Sequence, residues 1–199
     1  MDRHASHYYR ELLQCVGGVM VTGADGKATD FAVGVDAVID LILSLREGCK
    51  VMFIGNGGSA AISSHMAVDF WKNGRIRAVA FNDSSLLTCV GNDCGYDNIF
   101  EKPIEMFADG GDILFAISSS GRSENILRGV RAARTKDCKV VTLSGFDNHN
   151  PLTSMGDYNF YVPSHAYGPV EVIHHSICHC ILDAVIRGRG GRGAAACNG

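Results

Sequence analysis

The sequence predicts an α/β fold, a parallel sheet covered by helices on both faces. Two observations carry this. Short apolar runs rich in Val, Ile and Phe recur between residues 50 and 163: KVMFIG, IRAVAF, DILFAIS, CKVVTLSG and DYNFYVP. Between most of them lie stretches of helical periodicity, at 59–72, 84–91, 96–107 and 123–136. Apolar strands that alternate with helices belong to a sheet buried on both sides, because each crossover lays a helix over one face.

The elements follow in order. Apolar residues recur at helical spacing from about Tyr8 to Met20 and from about Phe31 to Leu45, and GADGK at 23–27 breaks them. The chain therefore opens with two helices, ahead of the strand–helix alternation. A last helix spans about 170–186, with Pro169 suited to its first turn. The remainder, RGRGGRGAAACNG, is glycine-rich and reads as a disordered tail over 188–199. Residues 1–187 then form one domain.

Composition narrows the function. A chain of 199 residues with 46% apolar and 20% charged content is an ordinary globular protein with one good core. A formal charge of −3 argues against a nucleic-acid grip, which needs a clustered basic surface. No apolar run stands out as a membrane span, and the polar, amphipathic start MDRHASHYYRELLQ does not resemble a secretory signal. The eight cysteines form no CxxC pair and read as reduced thiols of a cytoplasmic protein.

Three segments carry chemistry. In VMFIGNGGSAA a buried strand runs into a helix through glycines. At the carboxyl end of a parallel strand such glycines admit a ligand close to the backbone, and the helix start offers free N–H groups. Ser59 can cap that helix or bond an anion. The turn is neither GxGxxG nor a P-loop, and alone it is equally a plain corner. His65 and Asp69 follow four residues apart, so they share a helix face about 6 Å apart along the axis. That pairing suits metal ligation or acid–base work, although spacing alone favours an ordinary surface pair.

FAISSSGRSEN repeats the logic one strand later. Ser118, Ser119, Ser120 and Ser123 offer four hydroxyls in six positions, enough to enclose a phosphate without a lysine. Ser123 at the N-cap of the next helix would turn Ile126 inward. In YGPVEVIHHSICHC, helical spacing places Glu171, His175 and His179 on a slowly drifting stripe, which raises the case for a metal site. His174 falls off that stripe and reads as a core histidine.

Taken in order, the leading helices, GNGGSAA…H, CVGNDCGYDNIF, SSSGRSEN, VVTLSG and the final histidine-bearing helix resemble the sugar isomerase (SIS) domain family, most nearly its phosphoheptose isomerases. The resemblance covers nearly the whole chain. It implies a three-layer α/β/α sandwich, a homotetramer with active sites between subunits, a sugar-phosphate substrate and no nucleotide cofactor. It implies that Asn56, Gly57, Gly58, Asn92 and Asp93 touch the sugar phosphate, with Ser118, Ser119, Ser120 and Ser123 as the phosphate cradle. The family's zinc is bound by two histidines, a glutamate and a glutamine. His65 and His179 match the histidines, Asp69 stands where the family has its catalytic glutamate, and Glu171 stands where it has glutamine. Arg122 replaces an asparagine beside the serines, and GPV replaces a polar run before the glutamine. On this resemblance Asp69 is the base, His179 its acid–base partner, and zinc sits among His65, Asp69, Glu171 and His179. His175 is the competing ligand on spacing, because residues 171 and 179 lie about 12 Å apart along an ideal helix. The rival expectation is a non-catalytic regulatory or sugar-phosphate-binding module on the same fold.

Overall fold

The computed structural model describes residues 4–189; the tail expected at 188–199 lies, from residue 190 on, outside the described residues. The chain begins with α1 (His4–Gly17), β1 (Met20–Gly23), β2 (Ala28–Thr29) and α2 (Phe31–Leu43). The strand–helix alternation follows as β3 (Val51–Gly55), α3 (Gly58–Lys72), β4 (Ala78–Ala80), α4 (Ser84–Cys94) and α5 (Glu101–Phe107). It continues through β5 (Ile113–Ser118), α6 (Glu124–Thr135), β6 (Lys139–Ser144) and β7 (Tyr158–Tyr161), and closes with α7 (Tyr167–Gly188).

One seven-stranded sheet has the order β2-β1-β7-β6-β5-β3-β4. The five strands expected from the apolar runs are the five parallel ones. β1 and β2 were not expected. Residues 18–20, read as the end of a helix, lead instead into a hairpin that pairs antiparallel with β7. Gly17 and Gly18 stop α1, and VMVT that follows is β-branched and apolar, which favours the strand. The hairpin covers what would otherwise be an open edge of the parallel sheet.

Alternate side chains of each strand enter different cores. Val51, Phe53, Ile113, Phe115 and Ile117 pack with α2, α3 and α7. Met52, Ile54, Leu114 and Ala116 pack with α5 and α6 on the other side. Two cores on the two faces of one sheet make a three-layer α/β/α sandwich, as the resemblance implies. By length and composition α7, 22 residues with a mean hydropathy of 1.2, could cross a membrane. Half of that apolar stretch is buried inside the protein, and Val170, Ile173, Ile177 and Ile181 belong to the first core.

The strand order fixes where a ligand can bind. From β3 the chain moves to β4 on one side, then crosses to β5 on the other. Helices leaving β3 and β5 therefore diverge to opposite faces, and a crevice opens between the carboxyl ends of these strands. Gly55 pairs with Ile117 in the register, so the glycine turn and the serine turn stand side by side at that crevice.

Candidate active site

The crevice encloses about 220 Å³ and is lined by Asn56–Ser59, Ser118–Ser120, Ser123, Tyr167 and Glu171. Gly57, the N-cap of α3, has φ 55° and ψ −123°, a conformation open to glycine but strained for other residues. Gly58 lies directly against the Glu171 carboxylate, which would have to move to admit a Cβ there. Ser59 is buried at the crevice floor and does not cap α3. The Asn56 side chain is held rather than free. Its amide donates to Asn125 Oδ1 at 2.9 Å, while its oxygen accepts from Asn125 Nδ2 at 2.9 Å and from the Tyr96 hydroxyl at 3.2 Å. This lock ties the glycine turn to the start of α6.

The serine turn divides its hydroxyls. Ser118 Oγ accepts from the Gly121 N–H at 3.2 Å, and Ser120 Oγ accepts from the Arg122 N–H at 3.3 Å. Ser119 Oγ is buried without a hydrogen-bond partner. Ser123 occupies the N-cap position of α6, makes no side-chain cap bond and lines the crevice. Ile126 is buried as the capping argument requires. A buried hydroxyl without a partner costs free energy, and an anion bound against this turn would supply the missing acceptor. Arg122 is turned away, paired at 2.5 Å with Asp147 Oδ2.

The histidines gather a short way along the helices. Ligand atoms of His65, His175 and His179 all lie within 4.8 Å of one another. The ring centroids are 4.9 Å apart for His65–His175, 5.4 Å for His65–His179 and 4.6 Å for His175–His179. His175 Nε2 is buried without a partner. Burial, then the neighbouring histidines, hold the His175 ring below its usual pKa, with Asp69 opposing. Three imidazole nitrogens converging on one point, one of them orphaned, fit a metal ion such as zinc. Asp69 Oδ2 stands 3.3 Å from His65 Nε2, and its Oδ1 accepts from Asn73 Nδ2 at 3.1 Å. His174 is fully buried, donates from Nε2 to the Ser144 carbonyl at 3.0 Å, and is pushed down to about 4 by burial.

The expected residues thus fall into three places. Asn56, Gly57, Gly58, Ser59, the four serines and Glu171 line one crevice. His65 and His179 meet each other together with His175, while Glu171 stays at the crevice against Gly58. Asn92 and Asp93, at the end of α4, are exposed and outside the crevice lining of this chain, with Asn92 Nδ2 donating to Asp93 Oδ1 at 2.7 Å. A larger cavity of about 590 Å³ lies by the β1–β2 hairpin. Its one carboxylate, Asp30, is occupied in capping α2, so that cavity offers no free carboxylate. The glycine and serine motifs did not single out Tyr167, Asn125 or Tyr96. Asn125 had a signal in SSSGRSEN, since it follows the last serine by two positions; the two tyrosines had none.

A doubly wound α/β protein with a glycine- and serine-lined crevice at its switch point and a histidine–carboxylate cluster further along the same helices has the layout of the ligand-handling α/β proteins. A model of the SIS domain matches residues 28–145. The chain belongs to the SIS domain family. It is 37% identical to a phosphoheptose isomerase of Helicobacter hepaticus over 151 residues, 73% of this chain and 76% of the relative. It is also 37% identical to a phosphoheptose isomerase of Solidesulfovibrio magneticus over 164 residues, 79% of each chain. Among solved structures, the phosphoheptose isomerase of Neisseria gonorrhoeae superposes with a TM-score of 0.80 at 28% identity, covering 92% of this chain and 97% of that one.

Proposed function

We propose that the protein is an aldose–ketose isomerase that interconverts sedoheptulose 7-phosphate and D-glycero-D-manno-heptose 7-phosphate. The single observation that carries the substrate class is the buried, unpartnered Ser119 hydroxyl within a four-serine turn at the switch-point crevice. Relatives 37% identical to this chain over 151 and 164 aligned residues are named phosphoheptose isomerases, which supports the seven-carbon substrate.

The reaction moves a proton between adjacent carbons of the open-chain sugar. In this reading the Asp69 carboxylate takes the proton from the carbon beside the carbonyl, which leaves an enediol, and returns it to the neighbouring carbon. His179, when its ring is free of metal, carries the hydroxyl proton from one oxygen to the other, so no net proton is gained or lost. Asn73 holds Asp69 Oδ1 and leaves Oδ2 for chemistry or for His65. Ser118, Ser119, Ser120 and Ser123, with the backbone of Gly57 and Gly58, hold the phosphate and set the register. A zinc ion held by His65, His175 and His179, with Asp69 adjacent, would supply Lewis acidity toward the sugar oxygens. Glu171, at the crevice, is assigned to the substrate rather than to that ion, and Asn92 and Asp93 reach substrate only if a neighbouring subunit brings them.

The protein is further proposed to work in the cytoplasm as a homotetramer with shared sites. No residue of α1 is buried, and Tyr9, Leu13 and Val16 lie exposed along it, which leaves an apolar face for another copy. A non-catalytic module on this fold would need the crevice but not the acid–base cluster. The test is direct: incubate purified protein with sedoheptulose 7-phosphate and follow the aldose product. Conversion supports the assignment. Tight binding without conversion, in protein loaded with zinc, overturns it in favour of the binding module.

A further inference from the structure

Tyr167, the first residue of α7, forms part of the crevice wall beside Ser123 and Glu171. At 63% exposure, burial does not hold its ring. Phe146 does: the two rings meet edge to face, with centroids 4.9 Å apart and planes at 79°. Phe146 follows β6 with φ 60°, a left-handed conformation that a bulky side chain avoids. It is fixed there from both sides. Its N–H donates to the Ser164 carbonyl at 2.9 Å, and its carbonyl accepts from the Tyr161 hydroxyl at 2.9 Å. The other non-glycine residues with positive φ among those described, Arg75 and Asp137, sit in turns that precede β4 and β6. Phe146 alone of the three stands at the carboxyl end of a strand, where the crevice is. Strain held in place at that end marks a geometric demand of the site.

We propose that Tyr167 is a substrate-contacting residue whose ring packs against the C–H face of the bound sugar chain, and that Phe146 is the positioning residue that sets the ring's angle. This rests on the sugar-phosphate reading above. The serines recognise the phosphate, which inorganic phosphate shares. An aromatic face presents negative charge density toward C–H bonds, so the Tyr167 ring is the group that tells a carbon chain from a bare anion. The phenol hydroxyl is not needed for that contact.

Calorimetry on the full-length protein, with inorganic phosphate and sedoheptulose 7-phosphate as separate probes, tests the proposal. Tyr167→Ala is expected to weaken the sugar phosphate by about 3- to 10-fold and to leave inorganic phosphate unchanged, while Tyr167→Phe stays within about 2-fold for both. Phe146→Leu should reproduce the selective loss as a rise in KM with kcat little changed, and Phe146→Tyr, which keeps the ring, should restore it. The proposal is overturned if Tyr167→Ala binds both probes like wild type, or weakens both alike. It is also overturned if wild type binds the sugar phosphate no more tightly than phosphate. Wild type that binds the sugar phosphate selectively without isomerising it sinks the isomerase assignment and leaves the aromatic wall standing.

Discussion

Ser119→Ala separates what the crevice does for the fold from what it does for a ligand. The Ser119 hydroxyl is buried and makes no hydrogen bond among the described residues. Deleting it removes an unsatisfied polar group, whose burial costs on the order of 1–3 kcal/mol. The free protein should therefore be as stable as wild type or more so, by about 1 kcal/mol, which for a chain of this size raises Tm by roughly 2–4 °C. Binding should move the other way. A hydrogen bond to a charged group contributes about 1.5–3 kcal/mol, so phosphate affinity should fall about 10- to 150-fold. Scanning calorimetry and titration with inorganic phosphate measure both quantities on one preparation. A variant that loses stability and keeps its phosphate affinity would refute the reasoning, because the hydroxyl would then serve the fold through a partner inside the protein.

Three further outcomes test the histidine helix and the base. Asp69→Asn keeps the shape and removes the basicity, so isomerisation should fall by roughly 10²- to 10⁴-fold with phosphate binding retained; full activity would remove Asp69 from the mechanism. His175→Ala should lower zinc content measured by atomic absorption, whereas Glu171→Gln should leave it unchanged; the reverse pattern would restore Glu171 to the metal. His174, neutral in the fold with its pKa pushed down to about 4, takes up a proton more readily when unfolded. Its contribution to stability is fully present above about pH 6.5 and is lost as pH falls toward 4, roughly 3 kcal/mol in all. Urea unfolding of chelated protein from pH 7 to 4 should show that slope, and His174→Gln should flatten it.

The sandwich was legible because the strands are short runs dominated by apolar residues, so five strands and their alternation with helices appear without any partner information. The β1–β2 hairpin was not, because four and two residues beside a helix carry too short a period to distinguish strand from helix end. At the site, glycine and serine turns were legible because their residue types are unusual at strand ends. Placement was harder. Ser123 looked like a cap and does not cap. Arg122 stands beside the serines in sequence yet pairs with Asp147, a residue 25 positions away. Glu171 and His175 share one stripe, and only the packing of α7 against α3 decides which of them faces His65. Long-range packing of this kind has no local signature.

That packing also sets a length. α3 begins at Gly58 in the crevice and carries His65 seven residues on; α7 carries Glu171 at the crevice and His179 eight residues on. His175 stands only about 6 Å along α7 from Glu171, but His65, with Asp69 Oδ2 3.3 Å from its Nε2, and His179 lie about 10–12 Å along the helices from the glycine and serine turns. A substrate held by its phosphate among the serines must extend over most of that distance for its carbonyl end to reach Asp69 and His179. A three-carbon sugar phosphate cannot do so, whereas an open seven-carbon chain can. Glyceraldehyde 3-phosphate should therefore bind through its phosphate and inhibit competitively without turnover, while sedoheptulose 7-phosphate is converted. Comparable kcat/KM for the two sugars would show that the reacting carbons lie beside the serines. In that case Glu171, the carboxylate that lines the crevice, would replace Asp69 as the base.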